Sequence, residues 1–94
     1  MCIRDRGYIA FCELVAHIVK REKIVSMGSK RLSVAICLHG PNKRSFDIDN
    51  RVKPVLDALQ RAGVFDDDEQ VDSLAVTRGA IVKGGLCVVR IEAI

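Results

Sequence analysis

Residues 32 to 39 alternate strictly. Leu32, Val34, Ile36 and Leu38 are apolar, and Ser33, Ala35, Cys37 and His39 fall between them. A period of two marks a strand that buries one face. Such a strand cannot stand alone, because its apolar side needs a covering layer. Gly40-Pro41-Asn42 breaks it. The cover is written on both sides in a different period. Phe11, Leu14, Val15, Ile18 and Val19 recur at helical spacing, which predicts a helix from Tyr8 to about Val25. Lys20, Arg21 and Lys23 fall in its last turns, where cations suit the helix dipole, and Ser26-Met27-Gly28-Ser29 ends it. Val52, Val55, Leu56, Leu59 and Ala62 mark a second helix over Asn50 to Ala62. Asp49 or Asn50 can cap its start, Pro54 falls in its first turn, and Gly63 is a natural residue just past its end. Val71–Thr77 and Leu86–Ile91 are expected as two further strands, and Gly84-Gly85 between them suggests a hairpin. The predicted order is α-β-α-β-β. That is an α+β fold with two helices on one face of a small sheet.

The chain has 94 residues, which predicts one domain over residues 1–94 and a single modest core. A domain of this size buries about two-thirds of its unfolded surface. With 49% apolar and 29% charged residues it is not a disordered tail. No run approaches the roughly 18 apolar residues of a membrane span, so no membrane partner is expected. Met1–Arg6 is charged and no apolar segment of a secretory signal follows. Cys2, Cys12, Cys37 and Cys87 form no CxxC, and no histidine sits at a zinc spacing from them. Cys12 and Cys37 are expected on apolar faces, as small buried hydrophobes in a reducing compartment. Disulfides in a secreted protein are the alternative. His17 and His39 are isolated and suit a helix surface and a strand end rather than ligation.

Net charge is +3, but its distribution says more. Eight of the twelve acids lie between Asp47 and Asp72, whereas Lys20, Arg21, Lys23, Lys30, Arg31, Lys43 and Arg44 crowd elsewhere. An acidic cluster with basic flanks suits a site that holds cations and receives a polyanion; it also suits an ordinary solvated surface. Within Asp47-Ile48-Asp49-Asn50-Arg51-Val52-Lys53, an extended chain would point Asp47 and Asp49 to the same side. Two carboxylates before a helix are a start for Mg²⁺, which takes one or two carboxylates plus waters and phosphates. DxD also occurs in turns and caps. An EF-hand loop is excluded, since its required Gly and Glu positions hold Val52 and Ala58. Lys53 has two readings: a solvated lysine paired with Asp57 at i+4, or a cation that stabilises charge on an oxygen. Asp66-Asp67-Asp68-Glu69 is either a solvated loop or the completion of a metal site. The helix between the two acidic clusters spans about 20 Å, so only the fold or a partner subunit can join them.

Taken together, Asp47-Ile48-Asp49-Asn50-x-x-Lys53, Leu56-Asp57-Ala58-Leu59, Ala62-Gly63, Asp67-Asp68-x-Gln70-Val71 and Lys83-Gly84-Gly85 resemble the RusA-type Holliday-junction endodeoxyribonucleases. The match runs in order over about residues 31 to 92. The resemblance implies a small homodimeric, Mg²⁺-dependent nuclease, often of phage or prophage origin, that cuts four-way DNA junctions by paired nicks. Mn²⁺ is the alternative ion. It implies Asp47, Asp49 and Asp68 as catalytic metal ligands and Lys53 as the catalytic lysine, with Asp67 as a neighbouring candidate. Lys43 and Arg44, with Arg51, would contact the DNA. The implied partner is branched DNA and the implied place is the cytoplasm of a bacterial or phage-infected cell. Two alternatives stand beside it. One is a non-enzymatic module that binds branched DNA, and the other is a structural α+β protein with a solvated acidic loop. Family members usually begin with a strand before the first helix, whereas Met1–Arg6 leads almost directly into it. The expectation is therefore an N-terminally truncated chain that lacks the first strand, with residues 1–6 non-native or disordered.

Overall fold

The computed structural model describes residues 2–3 and 8–94, with side chains from Leu14 onward. Its elements are β1 (Cys2–Ile3), α1 (Tyr8–Arg21), β2 (Leu32–His39), α2 (Asp49–Arg61), a short 3-10 turn (Asp68–Gln70), β3 (Val71–Arg78) and β4 (Leu86–Ala93). The predicted α-β-α-β-β order holds from α1 onward. In front of it, where no strand was expected, Cys2 and Ile3 pair antiparallel with Val88 and Cys87 of β4. The rest of the segment expected to be non-native lies outside the described residues.

The sheet order is β1-β4-β2-β3. The alternating strand β2 is interior, antiparallel to β4 from Leu32↔Ala93 to His39↔Leu86 and parallel to β3 from Ser33↔Ser73 to Leu38↔Arg78. The hairpin expected from Gly84-Gly85 is therefore not formed, because β2 lies between β3 and β4. The connecting residues 79–85 pass over the end of β2 instead. Gly79 N–H donates to Leu38 O (2.9 Å) and Val82 N–H to Gly40 O (3.0 Å). Gly84 and Gly85 take φ of 84° and 78°, left-handed values that glycine alone adopts without steric cost. The physical reason for this order is that β2 buries four of its eight side chains, more than β3 or β4. Pairing on both edges buries its backbone groups with partners.

The even positions of β2 meet the helices. Leu32, Val34, Ile36 and Leu38 are buried with Val15 and Ile18 of α1, Val55, Leu56 and Leu59 of α2, and Cys87 and Val89 of β4. One cysteine expectation changes. Cys37 is half-buried on the opposite face, as the alternation of β2 requires, and Cys87 is the one in the core. The side chain of Cys12 lies outside the described residues. Cys37 and Cys87 are both free thiols.

The helix ends also differ from expectation. α1 stops at Arg21 rather than near Val25 because Lys23 takes φ 53°. Lys23 N–H reaches Lys20 O (3.3 Å) and Ile24 N–H reaches Val19 O (3.0 Å), the paired closure that ends many helices. α2 begins at Asp49 with no side-chain cap, since Ile48 before it already has φ −66° and ψ −31°. Neither Asp49 nor Asn50 caps the helix. Pro54 lies inside α2 beyond the first turn, where its missing N–H deprives the Asn50 carbonyl of its helical donor.

Candidate active site

The turn after α2 decides the site. Gly63, with φ 80°, closes the helix through Gly63 N–H to Gln60 O and Val64 N–H to Leu59 O, both 3.0 Å. Val64 and Phe65 are then buried, and their burial turns the chain back along α2. The acidic residues that follow are held by one side chain. Gln70 is buried, and its Oε1 accepts from the N–H groups of Asp66 (3.1 Å) and Asp67 (2.9 Å). Its Nε2 donates to Gly28 O (2.9 Å) and Lys30 O (2.7 Å) in the α1–β2 connection. Asp67 accepts from Glu69 N–H and caps the 3-10 turn, and Asp68 N–H donates to Gln60 Oε1 (3.3 Å).

This folding back brings the second acidic run to Lys53, near the start of the helix. The ammonium of Lys53 contacts the carboxylate of Asp68 and lies 3.1 Å from Asp57 Oδ1. Asp49, Lys53 and Asp57 are four residues apart and follow one face of α2. The i+4 pair expected of Lys53 is present, and the lysine also reaches the second acidic run. Asp68, and then Asp57, hold Lys53 above the ordinary lysine range, while Lys53 holds Asp68 below the ordinary carboxylate range. The side chain of Lys53 is 69% exposed and that of Asp68 26%, so the pair sits at the surface but is partly sheltered on its acidic side.

Asp47 and Asp49 are exposed. The premise that an extended chain points them to one side does not hold, because the helical backbone of Ile48 stands between them. Among the described residues neither carboxylate has a hydrogen-bond or ion-pair partner, and no three His, Cys, Asp or Glu side chains converge on one metal-sized point. The structure ties Asp68 to Lys53 and does not gather it with Asp47 and Asp49. By chemistry the donors still fit a hard cation: two unengaged carboxylates, two residues apart, at the start of a helix. The remainder of the acidic run has other work. Arg31 binds Asp72 and Glu69, and its guanidinium holds Asp72 below the ordinary carboxylate range.

The basic candidates border this region. Lys43 and Arg44 are exposed in the loop after β2, where Arg44 N–H donates to Asn42 Oδ1 (2.9 Å). Arg51 is half-buried, with its guanidinium 5.4 Å from the ring centroid of Phe46. Arg78, from the end of β3, lies over the same ring at 4.3 Å and donates to Phe46 O (2.7 Å). His17 is exposed on α1, and His39 ends β2 with Nδ1 donating to Ala80 O (2.7 Å). Two residues of the region had no assigned role from sequence, Gln70 and Arg78, whereas Asp57 stood as the i+4 partner of Lys53. Nothing local signals Arg78, which arrives from another strand.

The family model described as endodeoxyribonuclease RusA matches residues 3–92. The crossover junction endodeoxyribonuclease of Enterobacteria phage HK97 is 36% identical over 83 residues, covering 88% of this chain and 68% of the relative. The counterparts from Escherichia coli K12 and from Enterobacteria phage 82 are each 34% identical over 76 residues, covering 81% of this chain and 63% of the relative. The chain therefore spans about two-thirds of the length of these curated relatives.

Proposed function

The chain belongs to the RusA endodeoxyribonuclease family, and from that membership we propose that it is a metal-dependent nuclease that resolves four-way DNA junctions by paired phosphodiester hydrolysis. The observation that carries the reading is the fold-back that sets Asp68 against Lys53, near the start of the helix that Asp49 opens. Hydrolysis of a phosphodiester needs a water made nucleophilic and a developing negative charge neutralised. Bound Mg²⁺, or Mn²⁺ in its place, supplies both. Asp47 and Asp49 would hold it, with Asp68 as the third carboxylate. Asp68 and Asp57 hold Lys53 above the ordinary lysine range, which favours the cation over a base. Its role is that of a cation placed where charge develops on a phosphate or leaving oxygen. Asp57 and Asp68 keep that ammonium aimed rather than free to wander.

Lys43, Arg44 and Arg51 would meet DNA phosphates, which makes binding fall steeply with salt. Paired nicks across a two-fold symmetric junction call for two sites related by a two-fold axis, hence a homodimer. Such a substrate places the protein in the cytoplasm of a bacterial or phage-infected cell. No helix among the described residues is long and apolar enough to cross a membrane.

The test is cleavage of a labelled four-way junction beside linear duplex of the same sequence, with Mg²⁺, with chelator, and with Mg²⁺ restored. The expected result is paired nicks in the junction only, lost with chelator. Asp49→Asn and Lys53→Met should each lower the rate about 100-fold or more, the scale of removing one charge-stabilising group. An Asp49→Asn protein as active as wild type would sink this assignment. Binding without any nick would transfer the reading to a non-enzymatic branched-DNA module.

A further inference from the structure

We propose that Arg78, seated on the ring of Phe46 beside Arg51, is a phosphate-binding residue that holds the DNA strand next to Asp47. The inference rests on the nuclease reading above. Phe46 immediately precedes Asp47, and Arg78 closes β3 in register with Leu38, on the side of the sheet that carries the helices. Its guanidinium lies 4.3 Å over the ring centroid while one N–H donates to the carbonyl of Phe46 at 2.7 Å. These two contacts fix the plane and the position of the group. Arg51, from the first turn of α2, brings a second guanidinium to 5.4 Å from the same centroid.

Held by a ring and a carbonyl, the Arg78 guanidinium has no acidic partner among the described residues, so its charge is open to an anion. Arg31 shows the contrast: it is consumed by Asp72 and Glu69. Among the described residues no carboxylate pairs with Arg78, which is exposed. A planar guanidinium with outward N–H groups is the side chain best matched to a phosphate. The ring face under Arg78 is already occupied, so Phe46 acts as a pedestal for the cation rather than as a stacking surface for a base. Its chain neighbour Asp47 then lies beside the bound phosphate.

The experiment measures junction binding by the whole chain without Mg²⁺ from 50 to 200 mM salt, and cleavage with Mg²⁺. The proteins are wild type, Arg78→Gln, Arg78→Lys, Phe46→Leu and Arg90→Gln, the last an exposed cation on the opposite face of β4. Loss of one phosphate contact should flatten the slope of log affinity against log salt by about 0.9. A fourfold rise in salt would then cost Arg78→Gln about three- to fourfold less affinity than it costs wild type. Its cleavage defect should lie in KM rather than kcat. Arg78→Lys should keep the slope at lower affinity, Phe46→Leu should do the same, and Arg90→Gln should match wild type. An unchanged slope and KM for Arg78→Gln, with wild type cutting normally, would overturn this proposal and leave the nuclease reading standing. An equal effect from Arg90→Gln would also overturn it, as a general charge effect. A wild-type chain that neither binds nor cuts would bring down the nuclease reading, and this proposal with it.

Discussion

Gln70 governs the site without belonging to its chemistry. A glutamine amide can donate twice and accept from two donors, and here it does all four, toward Gly28, Lys30, Asp66 and Asp67. It therefore pins the chain carrying Asp68 to the loop before β2. Gln70→Glu keeps the shape and the two accepted bonds but turns a carboxylate oxygen toward two carbonyls. We expect a loss of about 2 kcal/mol in chemical denaturation, since two part-buried carbonyls lose their donor and face a carboxylate instead. Rescue of full stability in Gln70→Glu would mean that the amide is not the pin. Sequence supplied the identity of Gln70 within a motif but no reason for it, because the two carbonyls it holds lie 42 and 40 residues away. The same limit applies to Lys53. Its pairing with Asp57 was legible from a spacing of four, whereas contact with Asp68 was not. Asp47 and Asp49 show a local error of the opposite kind. The strand rule fails across Ile48, where the backbone is already helical.

At the level of elements, periodicity was the reliable signal and termini were not. The alternation of β2 and the helical spacing of Val52, Val55, Leu56 and Leu59 reappear as one buried face each. Gly63 does end α2 as its type suggests, because a left-handed residue is needed there. α1 ends in the same way but on Lys23, which no composition rule would pick. Ile24 then folds back onto Val19 and the core, and this packing compels the unfavourable backbone of Lys23. A side chain in that region costs roughly 1 kcal/mol relative to glycine. Lys23→Gly should thus stabilise the chain by about 1 kcal/mol and raise Tm by about 4–8 °C, the scale for a domain of this size. A lower Tm would show that the lysine side chain contributes more than its backbone costs. Pro54 was expected in the first turn and lies deeper because α2 starts at Asp49, with no side chain marking the start.

At the level of the whole molecule, the decisive event is the passage of residues 79–85 over the end of β2. It has a narrow point. A Cβ on Gly79 would come within 2.9 Å of Cys37 Sγ and closer still to the ring of His39, which is held by its bond to Ala80 O. Gly79→Ala should cost about 1–3 kcal/mol, the range for overfilling a packed position. Adding His39→Ala should recover much of that loss, and thermal melts of the single and double variants would show it. Equal melting of Gly79→Ala and wild type would mean that the crossing is not tight. By itself the sequence determined the α+β class, the residues of the core face, the absence of a zinc pattern and the motif that marks the family. Each of these follows from spacing within one element or from residue types in order. Only the tertiary structure decided that β3 and β4 flank β2 rather than pair with each other. It alone also decided that Asp68 meets Lys53 across the length of α2 and that Arg78 reaches Phe46. Those contacts depend on which strands take the two edges of the most buried one, and that competition is settled by burial of the whole core.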